Sequence, residues 1–236
     1  MIIAVSDGVK AVLESGGVPS EQIRVVHDGV AMRARPEVED KRADFCRSLN
    51  IEVSDSLILA AGALVDHKAH WVLVEAASSV LASHPKAQII IAGEGPNRDA
   101  LQEQIAKAGL QDSVHLIGQH PDLWRVMHHC ELFCHPSVEE GMGSVIVEAM
   151  LAQLPVVATI AGGIPEVVVD NSTGLLVPIG RTDLLASAIV RLLDDSALRR
   201  QFGEAGEARA LARFGVPRMA SDTDSVYLSV VEQAKS

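Results

Sequence analysis

Short, wholly apolar runs separated by glycine or charged turns recur along the chain, and longer stretches with helical spacing lie between them. Runs 57–61, 88–92, 114–117, 132–134, 156–159 and 175–177 have the length and the Val, Ile, Leu and Ala content of strands covered on both faces. Stretches 69–83, 98–108, 122–128 and 145–151, and the chain from 182 onward, predict helices; Trp71, Val72, Val74 and Leu81 are among the apolar positions of the first. Strands alternating with helices at this spacing require right-handed crossovers. The expected fold is therefore α/β, a Rossmann-like doubly wound parallel sheet.

The two ends differ from this pattern. Residues 2–5 form a strand-like run, Ser6 or Asp7 can cap a helix to Glu14 that Gly16-Gly17 ends, and 23–26 is a second strand closed by His27-Asp28-Gly29. Residues 32–40, with Arg33, Arg35, Pro36, Glu37, Glu39 and Asp40, have the composition of a linker leading into a helix to Leu49, which puts a boundary near 30–35. At the far end a charged helix, 199–213, breaks at Phe214-Gly215-Val216-Pro217. A second helix, 218–233, follows, with Met219, Val226, Tyr227 and Val230 as contact positions.

In a doubly wound sheet, ligands gather beyond the carboxyl ends of the strands. Four loops there carry glycine or charge: 62–68, 93–96, 118–122 and 139–143. The last is the most informative. Gly141 and Gly143 allow close approach to the unpaired N–H groups at a helix start, where an anion is the natural occupant. Glu140 and Glu148 flank that turn and can accept hydrogen bonds from hydroxyls. Phosphate and hydroxyls together suggest a sugar nucleotide. Acidic residues near a helix start also serve as plain dipole partners. Ser144 is expected to cap the helix, but Glu148 lies four residues on rather than three, so a reciprocal capping box does not explain it.

Composition narrows the partners. With 236 residues, 48% of them hydrophobic, the chain can fill a complete core. A net charge of −11 excludes broad contact with nucleic acid or an anionic membrane surface. No apolar segment is long enough to span a bilayer, and Met1-Ile2-Ile3-Ala4-Val5 lacks a basic leader. The expected location is cytoplasmic, with at most peripheral attachment at the inner face of the membrane. Cys46, Cys130 and Cys134 cannot all pair, and buried free thiols are expected. His128, His129 and His135 lie nearby, but strand alternation would set Cys130 and Cys134 on one face several ångströms apart, so no metal site is expected.

A family likeness accumulates along these loops. Gly62-Ala63-Leu64-Val65-Asp66-His67-Lys68, Ile91-Ala92-Gly93-Glu94-Gly95, His115-Leu116-Ile117-Gly118, Pro136-Ser137, and Glu140-Gly141-Met142-Gly143 with Glu148-Ala149-Met150 resemble the nucleotide-binding half of GT-B glycosyltransferases, most of all the retaining family numbered 4. Pro155-Val156-Val157-Ala158-Thr159, Gly162-Gly163-Ile164-Pro165-Glu166 and Gly174-Leu175-Leu176-Val177 continue the likeness, which runs to about Tyr227.

The resemblance implies a donor site. Glu140 would lie by the transferred sugar and Glu148 would bind ribose hydroxyls. Gly141, Met142, Gly143 and Ser144 would offer backbone groups to sugar and diphosphate. Lys68, beyond Gly62, would neutralise the leaving diphosphate, and the loop from Gly118 would hold the base. Lys68 and Glu140 would be the catalytic pair. No metal or other cofactor is implied, since no Asp-x-Asp cluster sits on a loop and Asp194-Asp195 lies at a helix end. Two positions depart from the pattern: Ala63 stands where the family has arginine and Ala69 where it has glycine, which makes Arg98 or Arg125 candidate replacement cations.

On this resemblance, residues 1–32 are the end of an acceptor domain plus linker, 33–214 the donor-binding domain, and 215–236 a C-terminal crossing helix. Most of an acceptor domain is missing, so the expected partners are a nucleotide sugar, an unknown acceptor, and either the missing N-terminal domain or a second copy. The expected function is the donor-binding part of a retaining glycosyltransferase, a fragment or truncated product inactive alone. Two rivals stay open: a non-catalytic nucleotide-sugar-binding or assembly module, and a GT-B epimerase or phosphorylase.

Overall fold

The predicted apolar runs pair with one another. A computed structural model describes residues 1–33 and 41–233. Near the start, β1 (Ile2–Ala4) and β2 (Ile23–Val25) pair in parallel on either side of α1 (Asp7–Ser15), apart from the main sheet. Then follow α2 (Lys41–Ser48), β3 (Ser56–Ala61), α3 (His70–Ser83), β4 (Ala87–Ala92), α4 (Arg98–Ala108), β5 (Val114–Gly118), α5 (Leu123–Met127), β6 (Leu132–His135) and α6 (Ser144–Leu151). After these come β7 (Val156–Thr159), α7 (Ile164–Val167), β8 (Gly174–Val177), α8 (Thr182–Asp194), α9 (Ser196–Arg213) and α10 (Val216–Gln233).

Among the described residues, β3 to β8 form one parallel sheet in the order β5-β4-β3-β6-β7-β8. The order reverses between β3 and β6, which is the topological switch point where such sheets open a crevice. Alternate side chains serve two cores. Ile58, Ala60, Ile89, Ile91 and Cys134 pack with α3, α4 and α8 on one face. Leu59, Ala61, Ile90, Phe133 and Val156 pack with α5, α6 and α7 on the other. Both faces are covered, which is why the strands are apolar throughout.

The first segment is tied on at several points. Val30 N–H donates to the Phe214 carbonyl at 2.8 Å, and Gly29 lies against Val216 and Met219 at the start of α10. Residues 34–40 of the expected linker lie outside the described residues. No helix among the described residues is long and apolar enough to cross a membrane.

Two expectations about side chains fail. Trp71 is 45% exposed, because α3 buries Val72, Leu73, Val74, Ala76, Ala77 and Val80 and turns Trp71 to the opposite face. Cys130 is not on a strand: it sits in the turn before β6, its thiol donating to the Val126 carbonyl at 3.2 Å, so strand alternation does not relate it to Cys134. Its thiol and that of Cys134 are pushed up by burial, and all three cysteines are free.

Helix α9 crosses the turn after α6 at its glycines. A Cβ on Gly203 would overlap the Gln153 carbonyl, whereas one on Gly206 would meet the Met150 side chain at an ordinary 3.5 Å. Opposite signs are therefore expected in urea denaturation. Gly203→Ala should destabilise by about 1–3 kcal/mol through overpacking, and Gly206→Ala should stabilise by up to about 1 kcal/mol through helix propensity.

Candidate functional site

The crevice between β3 and β6 gathers most of the residues that the sequence singles out. The loop after β3 ends in a 3-10 turn, Asp66–Lys68, and Ala69 then takes a left-handed conformation (φ 48°) as α3 begins. This turn carries Lys68 across to the loop after β6. There Lys68 Nζ donates to Glu140 Oε2, and the two side chains are 18% and 11% exposed. His135 Nε2 lies 2.7 Å from the same oxygen, and Ser137 Oγ lies 3.0 Å from that ring nitrogen.

The electrostatics of this cluster follow from burial opposed by partners. Desolvation alone would raise the Glu140 carboxyl, but hydrogen bonds from His135 and Lys68 and their charge hold it down at about 2. Burial pushes the His135 imidazole below its ordinary value; Glu140 opposes that shift and Lys68 reinforces it. His70, at the start of α3, is pushed down to about 4, first by burial and then by His135, with Lys68 adding to the effect and the Gly62 and Ala63 backbone opposing it. At neutral pH, Glu140 is thus ionised, and the His135 and His70 imidazoles are neutral.

Helix α6 opens beside this pair. Its N-cap is Gly143, in the left-handed region at φ 85°, and no side chain caps the helix. Ser144 is the first helical residue and is exposed, not the expected cap. The positive end of α6 is therefore left for another acceptor. Met142 is buried at 2% exposure, its side chain part of the core packed under α6.

Two cavities adjoin the loop. One, of about 420 Å³, is lined by Gly62, Ala63, Gly93, Gln119, His120 and Glu148, so Glu148 does meet the loops after β3 and β5, including the one that begins at Gly118. The other, of about 570 Å³, lies between the loop after β6 and α1 and is lined by Glu140, Gly141, Gly162, His67, Gly8 and Val9. The replacement cations expected for Ala63 do not line the first cavity. Arg98 is bound to Glu94 at 3.0 Å and to the Leu116 carbonyl at 3.2 Å, and Arg125 pairs with Asp122 at 3.3 Å.

The α1 wall of the second cavity is attached to the sheet by polar contacts. Ser6 Oγ accepts from Val9 N–H, capping α1, and donates to the Gly141 carbonyl at 2.6 Å. The Glu166 carboxylate accepts from the Asp7 and Gly8 N–H groups at 2.9 and 3.0 Å and pairs with His27 at 2.9 Å. These bonds outweigh burial and hold Glu166 below the usual carboxylate range. Gly162 (φ 49°) packs on the Glu140 backbone so tightly that a Cβ would overlap its carbonyl. Ser6 caps α1 as expected, but the sequence reading assigns it no part in this site, and none to His135, which it weighs only beside the cysteines, or to Ser137 or Glu166. A histidine at the carboxyl end of a central strand, five residues before Glu140, was the available signal for His135.

The protein-family model described as "Glycosyl transferases group 1" matches residues 41–209. Alpha-D-kanosaminyltransferase of Streptomyces kanamyceticus is 29% identical over 196 residues, covering 82% of this chain and 50% of that protein. The phosphatidylinositol N-acetylglucosaminyltransferase gpi3 subunit of Schizosaccharomyces pombe is 31% identical over 180 residues, 75% of this chain and 39% of that protein. A crystal structure of Anabaena Alr3699/HepE in complex with UDP and glucose superposes with a TM-score of 0.87 at 25% identity, over 98% of this chain and 63% of that one. The chain thus spans about half the length of the curated relatives it matches. From the family match over most of its length and a switch-point crevice in a Rossmann-like sheet, the chain belongs to the group 1 glycosyl transferases of GT-B fold.

Proposed function

We propose that the crevice binds a nucleoside diphosphate sugar and that the chain is the donor-binding part of an enzyme transferring that sugar to an acceptor with retention of configuration. The observation that carries this reading is the meeting of Lys68 and Glu140 beside the uncapped start of α6, at the point where strand order reverses. The likeness to a structure solved with UDP and glucose supports the same ligand class.

In this reading the ribose hydroxyls donate to Glu148, and the base lies against the loop that starts at Gly118. The diphosphate accepts from Lys68 and from N–H groups at Gly143 and Ser144. Glu140, ionised at any physiological pH, accepts from sugar hydroxyls, while Gly141 and Met142 offer backbone groups. As the bond from the anomeric carbon to the diphosphate breaks, charge develops on the leaving oxygen, and Lys68 and the helix end stabilise it. The proposal requires no metal ion or further cofactor. With Ala63 in the first cavity, Lys68 is the cation this reading assigns to the diphosphate, Arg98 and Arg125 standing in exposed pairs outside that cavity, so donor binding is expected to be weak. Residues 1–32 would be the acceptor side, an assignment supported by their separate two-stranded sheet and by the α1 wall of the Glu140 cavity.

Thermal unfolding with UDP, GDP, ADP and their glucose conjugates should show a raised midpoint for at least one, because a ligand of the native state stabilises it. Lys68→Ala should weaken that nucleotide about tenfold or more, the loss of one charge-assisted contact. Glu148→Gln should weaken the nucleotide but leave inorganic pyrophosphate unchanged. No shift with any of the six at millimolar concentration would defeat the proposal.

The resting charges also set a pH dependence. His70 is held at about 4 against an ordinary 6.5, so the unfolded chain takes up a proton first, and stability falls between pH 6.5 and 4. Glu140, at about 2 against 4.5, contributes stability that is complete above pH 4.5 and is lost as pH falls toward 2. Urea midpoints should therefore decline in two stages, and His70→Leu should reduce the upper one, to which His115, His129 and His135, also pushed down by burial, contribute. An unchanged upper stage in that variant would contradict the assignment.

A further inference from the structure

We infer that His135 is a positioning residue for the donor reaction, holding the Glu140 carboxylate when Lys68 turns from it to a diphosphate. The inference rests on the donor-site reading and names a residue that reading leaves without a role. In the resting chain, Glu140 Oε2 is approached by Lys68 Nζ, by His135 Nε2 at 2.7 Å and by Ser137 Oγ at 3.5 Å. One carboxylate oxygen has two lone-pair sites, so three donors are more than it can fully satisfy. Lys68 in turn has one charge and cannot neutralise both Glu140 and a diphosphate. If it leaves, a carboxylate that is 11% exposed loses its ion-pair partner, which is costly unless another donor stays.

His135 is built to stay. It is 1% exposed at the end of β6, and its ring lies nearly parallel to Phe133 (19°) with centroids 6.1 Å apart. Thr159 Oγ1 donates to the Ser137 carbonyl and lies 3.4 Å from that of His135, which pins the chain on both sides of Pro136. Nδ1 is buried without a hydrogen-bond partner among the described residues. A proton on Nδ1 would therefore be buried unpaired, whereas a proton on Nε2 points at Glu140. The neutral Nε2–H tautomer is assigned on that ground.

Neutrality matters to the role. A second lysine or arginine here would neutralise Glu140 and compete with the sugar hydroxyls it must accept. A neutral donor keeps the carboxylate aimed and negative and leaves the charge of Lys68 for the leaving group. Ser137, wholly buried, adds a weaker donor on the same side.

The test compares His135→Leu and His135→Gln by calorimetric titration with UDP, with Lys68 present and in a Lys68→Ala background. His135→Leu should weaken UDP about tenfold when Lys68 is present, because Lys68 is then retained by Glu140. In the Lys68→Ala background the same change should alter affinity by no more than about twofold, and His135→Gln, which keeps a donor, should recover part of the loss. Equal losses in both backgrounds would mark His135 as purely structural and overturn the inference.

A second measurement needs no nucleotide: the Glu140 carboxyl titrated by carbon-13 NMR in the ligand-free protein. In Lys68→Ala it should still titrate below 4.5, and removal of His135 as well should raise it, with Ser137 and the Gly141 N–H left to oppose burial. Wild-type protein that binds none of UDP, GDP and ADP would defeat the donor reading; if GDP or ADP is the one bound, it takes the place of UDP in the titrations. Glu140 titrating above 4.5 in Lys68→Ala alone would defeat the role of His135.

Discussion

The reversal of strand order between β3 and β6 is the constraint on which the rest depends. Right-handed crossovers carry β3 to β4 to β5 in one direction and β6 to β7 to β8 in the other. The loops leaving β3 and β6 therefore part company and leave a crevice. Lys68 comes from one side of that divide and Glu140 from the other, 72 residues apart in the chain and bonded in space. Close backbone packing seals the edges: Gly93 lies on the Gly62 carbonyl and Gly162 on that of Glu140. Neither contact would survive a side chain at the glycine.

Around that crevice several charges are engaged: Glu140 has Lys68 and His135, Glu166 has the first turn of α1 and His27, and Arg98 and Arg125 have nearby carboxylates. Glu148 lines its cavity, and at the start of α6 no side chain caps the helix. On the proposed donor reading, an anion entering the crevice would meet one open helix end and one lysine that must first be released from Glu140. That competition would separate resting from occupied states, and Ala63, in place of the arginine of the family pattern, would sharpen it.

The sheet was legible because its physics is local in sequence: strands buried on both faces are apolar along their whole length, and 57–61, 88–92 and 156–159 show it. Much of the crevice was legible too, since Gly62, Lys68 and Glu140 stand on loops that the strand pattern places at one edge, and Glu148 on the helix that follows the last of them. What escaped depends on neighbours distant in sequence. Trp71 fits a helix with apolar positions as well as Leu73 does, and only packing against α8 and β4 decides which face is inside. Ser144 has the chemistry of a cap, but the left-handed turn at Gly143 moves it one place into the helix. His135 looked like part of a cysteine and histidine cluster, because nothing local shows that a strand end will aim it at a carboxylate five residues on.

The most direct test of the account is a crystal structure of the chain with UDP. The account predicts ribose hydroxyls on Glu148, the diphosphate at the first turn of α6, and Lys68 moved from Glu140 to a phosphate oxygen while His135 remains on the carboxylate. UDP bound elsewhere, or bound in the crevice with Lys68 still paired to Glu140, would contradict it.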